Sequence, residues 1–122
     1  MAQLVVESGE LVVHLAWWER VAARRSEVRV PLAAVRDVTV ERDWWRALRG
    51  LAGRGTWIPA LICVGARRHS VGEDFTVVRP RHPVVCVELN RRSSPFARLA
   101  VSAADPEAVR RSVRAAAGLG SR

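Results

Sequence analysis

Lysine is missing from this chain: all 20 of its Lys+Arg positions are arginine. Without a lysine amine, Schiff-base catalysis is excluded. Cysteine is scarce, with two residues. Cys63 and Cys86 sit inside the apolar runs Leu61-Ile62-Cys63-Val64 and Val84-Val85-Cys86-Val87. Both read as small buried hydrophobes rather than disulfide partners. Long apolar runs are absent too, since none approaches the roughly 20 residues that span a bilayer. The first residues, Met1-Ala2-Gln3-Leu4-Val5-Val6-Glu7, have no basic head and reach an acid at once. They do not read as a secretory signal, and the expected location is the cytoplasm.

The signatures of chemistry are equally sparse. His14, His69 and His82 form no CxxC, HxxxH or HExxH spacing with each other or with the cysteines, so no metal or cofactor is expected. Gly50-Leu51-Ala52-Gly53-Arg54-Gly55-Thr56 is glycine-rich but lacks the Gly-Lys-Ser/Thr ending of a phosphate loop. It reads as a flexible connection, with Arg49 and Arg54 as the residues that could grip an anion there. Ser93-Ser94 has neither a GxSxG nor a Ser-x-x-Lys context. The carboxylates Asp37/Glu41, Asp43 and Glu73/Asp74 lie among arginines or in turns, where charges are ordinarily solvated. The expectation is a protein without enzymatic activity.

What is present is enough for one folded domain. The chain has 122 residues, 49% hydrophobic and 26% charged, close to ordinary globular usage. We expect one domain over 1–118 and a frayed tail over 119–122. The net charge of +8 suits nucleic acid or an anionic membrane at face value. The arginines are spread along the chain, however, with short clusters at Arg24-Arg25, Arg67-Arg68, Arg91-Arg92 and Arg110-Arg111. With abundant Ala and Val, this is also what a GC-rich coding sequence produces, and a solvated basic surface is the expectation.

Periodicity gives a β-rich order. Gln3 to Glu7 and Glu10 to Leu15 flank Ser8-Gly9, a hairpin signal. Residues 16 to 25 read as a short helix or crossover, with Trp17 or Trp18 packing inward and Val21 beneath. Val28 and Val30 alternate with charge until Pro31 ends the ladder. Leu32, Val35 and Val38 recur every three residues as a tight turn into a strand through Glu41. Asp43 to Gly50 reads as a turn or two of helix, residues 50 to 57 as loop, and 58–67, 73–79, 84–90 and 96–102 as strands. At the C-terminus Asp105 is an N-cap, Pro106 the first helical residue and Glu107 a dipole partner. Val109, Val113, Ala116 and Ala117 fall on one face, Arg110, Arg111 and Arg114 on the other, and Gly118 ends the helix. The expected fold is mainly β (α+β): an antiparallel barrel of about seven strands, short helical inserts and a capping C-terminal helix.

Two stretches resemble the bacterial pleckstrin-homology-like (PH-like) proteins of actinobacterial type. One is Val28-Arg29-Val30-Pro31-Leu32-Ala33-Ala34-Val35-Arg36-Asp37-Val38. The other is the order of strands followed by a helix beginning Asp105-Pro106-Glu107; Gly50 to Pro59 resembles the glycine-rich loop of that group. The resemblance implies a PH-like barrel acting as a binding or assembly module. Lipid-binding relatives carry basic residues at the first hairpin tip. Here the tip is Glu7-Ser8-Gly9-Glu10, so that property does not transfer.

The five tryptophans are the unusual feature. Trp17-Trp18 and Trp44-Trp45 are adjacent pairs, so one ring of each can face out. Exposed Trp near Arg suits contact surfaces. The expected function is a protein–protein interaction module with Trp44, Trp45, Arg46, Arg49, Arg54 and Trp57 as its surface. An unidentified protein is the expected partner, and sheet-edge pairing into a homodimer is a further option. Peripheral binding to anionic membrane is the alternative. Sequence-independent nucleic-acid binding is a second alternative that the charge supports, but it is disfavoured because no helix-turn-helix or RNA-recognition signature accompanies that charge.

Overall fold

The computed structural model describes residues 2–23, 27–58, 62–90 and 92–119. Among the described residues there are nine strands and two α-helices. β1 (Gln3–Glu7), β2 (Glu10–His14), α1 (Trp17–Ala23) and β3 (Glu27–Pro31) come first. A 3-10 turn, Leu32–Ala34, leads to β4 (Val35–Glu41), and a second, Trp44–Ala47, to β5 (Leu51–Ile58). β6 (Ile62–His69), β7 (Gly72–Val78), β8 (Val84–Leu89), β9 (Arg98–Ser102) and α2 (Pro106–Ala116) complete the chain.

The strands make two sheets that share one core instead of the expected antiparallel barrel. The small sheet has the order β1-β2-β3, and the large one β4-β8-β9-β7-β6-β5. β9 enters between β7 and β8; it runs antiparallel to β8 and therefore parallel to β7. A parallel pair is incompatible with the all-antiparallel order expected from the sequence. Leu11, Val13, Val28 and Val30 of the small sheet meet Val38, Val64, Phe75, Val77, Val85, Val87, Leu99 and Val101 of the large one. Val113 of α2 closes this core.

The glycine-rich stretch is a strand, not a loop. Gly50 has φ +70, and a Cβ there would lie 2.1 Å from the Arg68 carbonyl oxygen. At Gly55 a Cβ would lie 2.2 Å from the Val64 carbonyl oxygen. The absent side chains let this segment lie against the β6 backbone. The ladder is irregular between Ala52 and Gly55, which is why no alternating pattern was visible.

α2 forms as its sequence directs. The Asp105 side chain accepts from the Ala108 N–H at 3.2 Å, and Pro106 opens the first turn. Gly118 adopts φ +76, while Leu119 N–H donates to Arg114 O at 2.8 Å and Gly118 N–H to Ala115 O at 3.2 Å. This is the Schellman pattern. Leu119, expected in the tail, packs against the core, and residues 120–122 lie outside the described ones. Arg114 departs from expectation: it is buried, paired with Asp37 of β4 and donating to Leu119 O.

Candidate functional site

Successive strand residues face opposite sides, so the large sheet has a second face, away from the main core. On it Cys63, Val78, Val84, Cys86 and Ala100 form a smaller apolar cluster with Ala47, and Trp44, Leu48 and Trp57 pack over it. The segment from Trp44 to Arg49 is thus laid across the second face. Of the residues expected to form the interaction surface, the structure brings five together here.

A row of alternating charge runs across the same face. Glu88 is opposite Arg98, Arg98 opposite Asp74, and Asp74 opposite Arg67 on four neighbouring strands. Arg98 Nε meets Glu88 Oε1 at 2.5 Å. Opposite charges in register support a sheet modestly. Asp74 is a stronger element because its side chain is 0% exposed. Arg49 grips it with both arms of its guanidinium, Nε to Oδ2 at 2.7 Å and Nη2 to Oδ1 at 2.8 Å. His69 Nε2 completes the set at 2.8 Å from Oδ1. A buried carboxylate held by a bidentate arginine is satisfied; one deprived of that partner is not.

The remaining donors tie the covering segment down further. Arg67 Nε donates to Arg49 O at 3.0 Å and Arg67 Nη2 to Gly50 O at 2.8 Å. The same guanidinium lies 5.0 Å from the Trp57 ring centroid, within cation–π range. Trp57 Nε1 donates to Gly53 O at 3.0 Å. The hydrogen bond from Arg49 to Asp74 is the largest cause of a raised Arg49 pKa.

Each expected surface residue can now be placed. Trp44 is half-buried over the small cluster, and Trp45 meets it edge-on, centroids 5.9 Å apart and planes at 89°. Trp45 is 56% exposed, and Arg46 is exposed beside it, 3.5 Å from Asp43. Arg49 is spent on Asp74 and holds the platform instead of meeting a partner. Trp57 is half-buried. The side chain of Arg54 lies outside the described residues.

Sequence reasoning missed Asp74 and His69. Glu73/Asp74 read as solvated turn charges, yet Asp74 is interior. The available signal was that Asp74, Thr76 and Val78 alternate with Phe75 and Val77, which puts Asp74 on a covered face. It also misplaced Val21, and it left open whether Trp17 or Trp18 packs inward. Trp17 is 76% and Val21 71% exposed, while Trp18 is half-buried with Arg79 5.3 Å from its ring centroid.

The chemistry open to this face is limited by its own bonding. Val71 N–H donates to His69 Nδ1 at 3.2 Å, so the ring proton is on Nε2 and points at Asp74. Both ring nitrogens are used. Burial pushes the Cys63 thiol up, and the Cys86 thiol up to about 11. β9 and β7 separate the strands carrying the two cysteines. Three strand spacings of about 4.8 Å, roughly 14 Å in all, exceed the reach of a disulfide. Among the described residues no group of three His, Cys, Asp or Glu is placed to hold a metal ion. No helix among them is long and apolar enough to cross a membrane.

Other polar groups cluster on the small sheet. Arg29 reaches Glu27 at 2.8 Å and Glu7 and Glu10 at 3.5 Å, and His14 Nε2 meets Glu7 at 2.9 Å. The His14 hydrogen bond is the largest cause of a lowered Glu7 pKa. The acidic hairpin tip is thus partly neutralised by its own neighbours.

Comparison of the chain with protein-family models, curated proteins and solved structures finds no match in any of the three.

Proposed function

We propose that this chain is a non-enzymatic binding module of the cytoplasm, PH-like in kind, whose partner is a protein docking on the Trp45 face. The observation that carries the reading is the way Trp45 is presented. The ring is exposed, yet its neighbour Trp44 is anchored in the small cluster and Arg49 is fixed to Asp74. An aromatic that is already ordered loses little entropy on binding, and Trp with Arg is the usual composition of interface hot spots. The terminal helix and the mainly antiparallel strands support the PH-like part; the parallel β7/β9 pair departs from it.

The test compares immobilised wild-type protein with Trp45→Ala and Arg46→Ala in one cell extract. A protein retained by wild type and lost from Trp45→Ala, with unchanged circular dichroism, is the expected result. Identical retention by all three removes this surface. A second reading, a homodimer, rests on Leu51, which is 79% exposed at the start of the edge strand β5. An edge with free backbone groups and an apolar side chain invites strand pairing. Light scattering on wild type and Leu51→Lys decides it: a dimer that becomes monomeric supports pairing, and a monomeric wild type ends it.

A further inference from the structure

The most exposed aromatic of the described residues is not on the Trp45 face. Trp17 and Val21 are one helical turn apart on α1 and share its outer side. α1 packs on β5 and β6, where Thr56 Oγ1 donates to Ala22 O at 3.1 Å. Thr56 and Trp57 are consecutive in β5, so they face opposite sides of the sheet. Trp57 belongs to the face under Trp44. Trp17 and Trp45 are therefore carried on opposite faces of the domain.

The charged residues of α1 itself are one exposed arginine and one buried acid. Arg20, three residues after Trp17, is exposed, with its Nε donating to Leu15 O at 3.2 Å. Glu19, the single acid of α1, is turned inward and buried; it accepts from Ala2 N–H at 3.2 Å and Ala16 N–H at 2.7 Å. Arg79 stacks near Trp18, and Arg81 follows it in an exposed turn. Arg24-Arg25 continue the chain after α1 and lie outside the described residues. The outer side of α1 therefore offers a tryptophan and a valine beside the Arg20 side chain, with Arg79 held next to Trp18 and the helix's own carboxylate withdrawn.

The geometry points to a docking site for an anionic lipid surface on the outer side of α1. Trp17 and Val21 enter the headgroup region, and Arg20, Arg79 and Arg81 meet lipid phosphates. Tryptophan favours that interface because its ring is apolar and its N–H can stay hydrated. Basic residues beside it add attraction to anionic headgroups. A fluid anionic interface is favoured over a soluble acidic protein, because it accepts a protruding ring without a complementary pocket. Because the site is on the face opposite Trp45, it does not depend on the proposed protein contact, and both can be occupied together.

The experiment is co-sedimentation of the full chain with vesicles of phosphatidylcholine alone or mixed with phosphatidylglycerol, at physiological salt. Wild type, Trp17→Ala, Val21→Ser and Trp45→Ala are compared. The first two replaced side chains are largely exposed, so the fold is expected to survive, and circular dichroism checks it. Wild type should bind the anionic vesicles, with Trp17→Ala weaker by about tenfold and Trp45→Ala unchanged. Bromine-labelled acyl chains should quench wild-type fluorescence more than that of Trp17→Phe. The proposal is overturned if wild type stays in the supernatant, or if Trp17→Ala binds as wild type does, which would mean generic charge attraction. It is also overturned if soluble polyglutamate is bound with the same Trp17 dependence while vesicles are not.

Discussion

Asp74 and Phe75 are neighbours in β7 and look in opposite directions. Phe75 enters the main hydrophobic core, where its ring meets Phe96 at 5.6 Å between centroids. Asp74 enters the second face, where burial is tolerated because Arg49 and His69 complete its hydrogen bonding. The first face stabilises chiefly by area removed from water, which is not directional. The second fixes one segment, Trp44 to Arg49, in one position. Non-directional burial holds the fold; directional bonding sets where the exposed tryptophan stands.

Replacing each neighbour sharpens the contrast. Phe75→Ala should lower unfolding stability by about 3–5 kcal/mol through lost burial and the cavity left behind. Asp74→Ala should cost a similar amount, about 3–5 kcal/mol, because Arg49 loses its buried partner. Urea denaturation measures both. The two differ in remedy: Phe75→Leu recovers most of the loss, whereas Asp74→Leu recovers none unless Arg49 is also made apolar. A mild phenotype for Asp74→Ala would make the second face as non-directional as the first.

A smaller effect is expected where the covering segment joins β5. Gly50→Ala places a Cβ against the Arg68 carbonyl at positive φ and should cost about 2–3 kcal/mol, read from the same denaturation curves. Smaller again, Asp105→Ala removes the α2 cap on the main-core side and should cost about 1 kcal/mol. If the cap change loosens Trp44 to Arg49 as much as Gly50→Ala does, the two faces are not separate.

The smallest effect at neutral pH belongs to Cys86. Its folded thiol pKa is raised from 9.0 to about 11 by burial under Ala47 and Leu48. The folded state then favours the protonated thiol. The contribution is fully present below about 9 and is lost as pH rises through about 11. Stability should fall over that window in wild type, and less steeply in Cys86→Ala. Equal slopes would mean that the thiol is not shielded.

The main-core side was legible in the sequence because its signals are local. The hairpin at Ser8-Gly9, the stop at Pro31 and the cap-to-Gly118 span of α2 each depend on residues next to one another. The second face was not legible for the opposite reason. Asp74 meets Arg49, 25 positions away, and the local alternation of β7 marks a face without naming the partner that satisfies a carboxylate there. The insertion of β9 between β7 and β8 is equally non-local, so the barrel expectation failed there. The glycines of β5 looked like a loop because the feature that makes them a strand, close approach to β6, is tertiary. Adjacency in Trp44-Trp45 allows one ring in and one ring out without saying which; the structure half-buries Trp44 and exposes Trp45, and makes Arg49, expected at the contact surface, the anchor.

The central claim is that Arg49 and Asp74 hold the Trp44 to Leu48 segment as a fixed platform. Native-state amide hydrogen exchange on wild type and Arg49→Met tests it directly. The reporters are the Arg46 and Leu48 amides, which donate to Asp43 O at 2.9 Å and Trp45 O at 3.2 Å. The account predicts that both lose protection in Arg49→Met by at least about tenfold beyond any change in the β9 amides, which report global opening. Equal loss in β9 and in the segment, or no loss at Arg46 and Leu48, would contradict it.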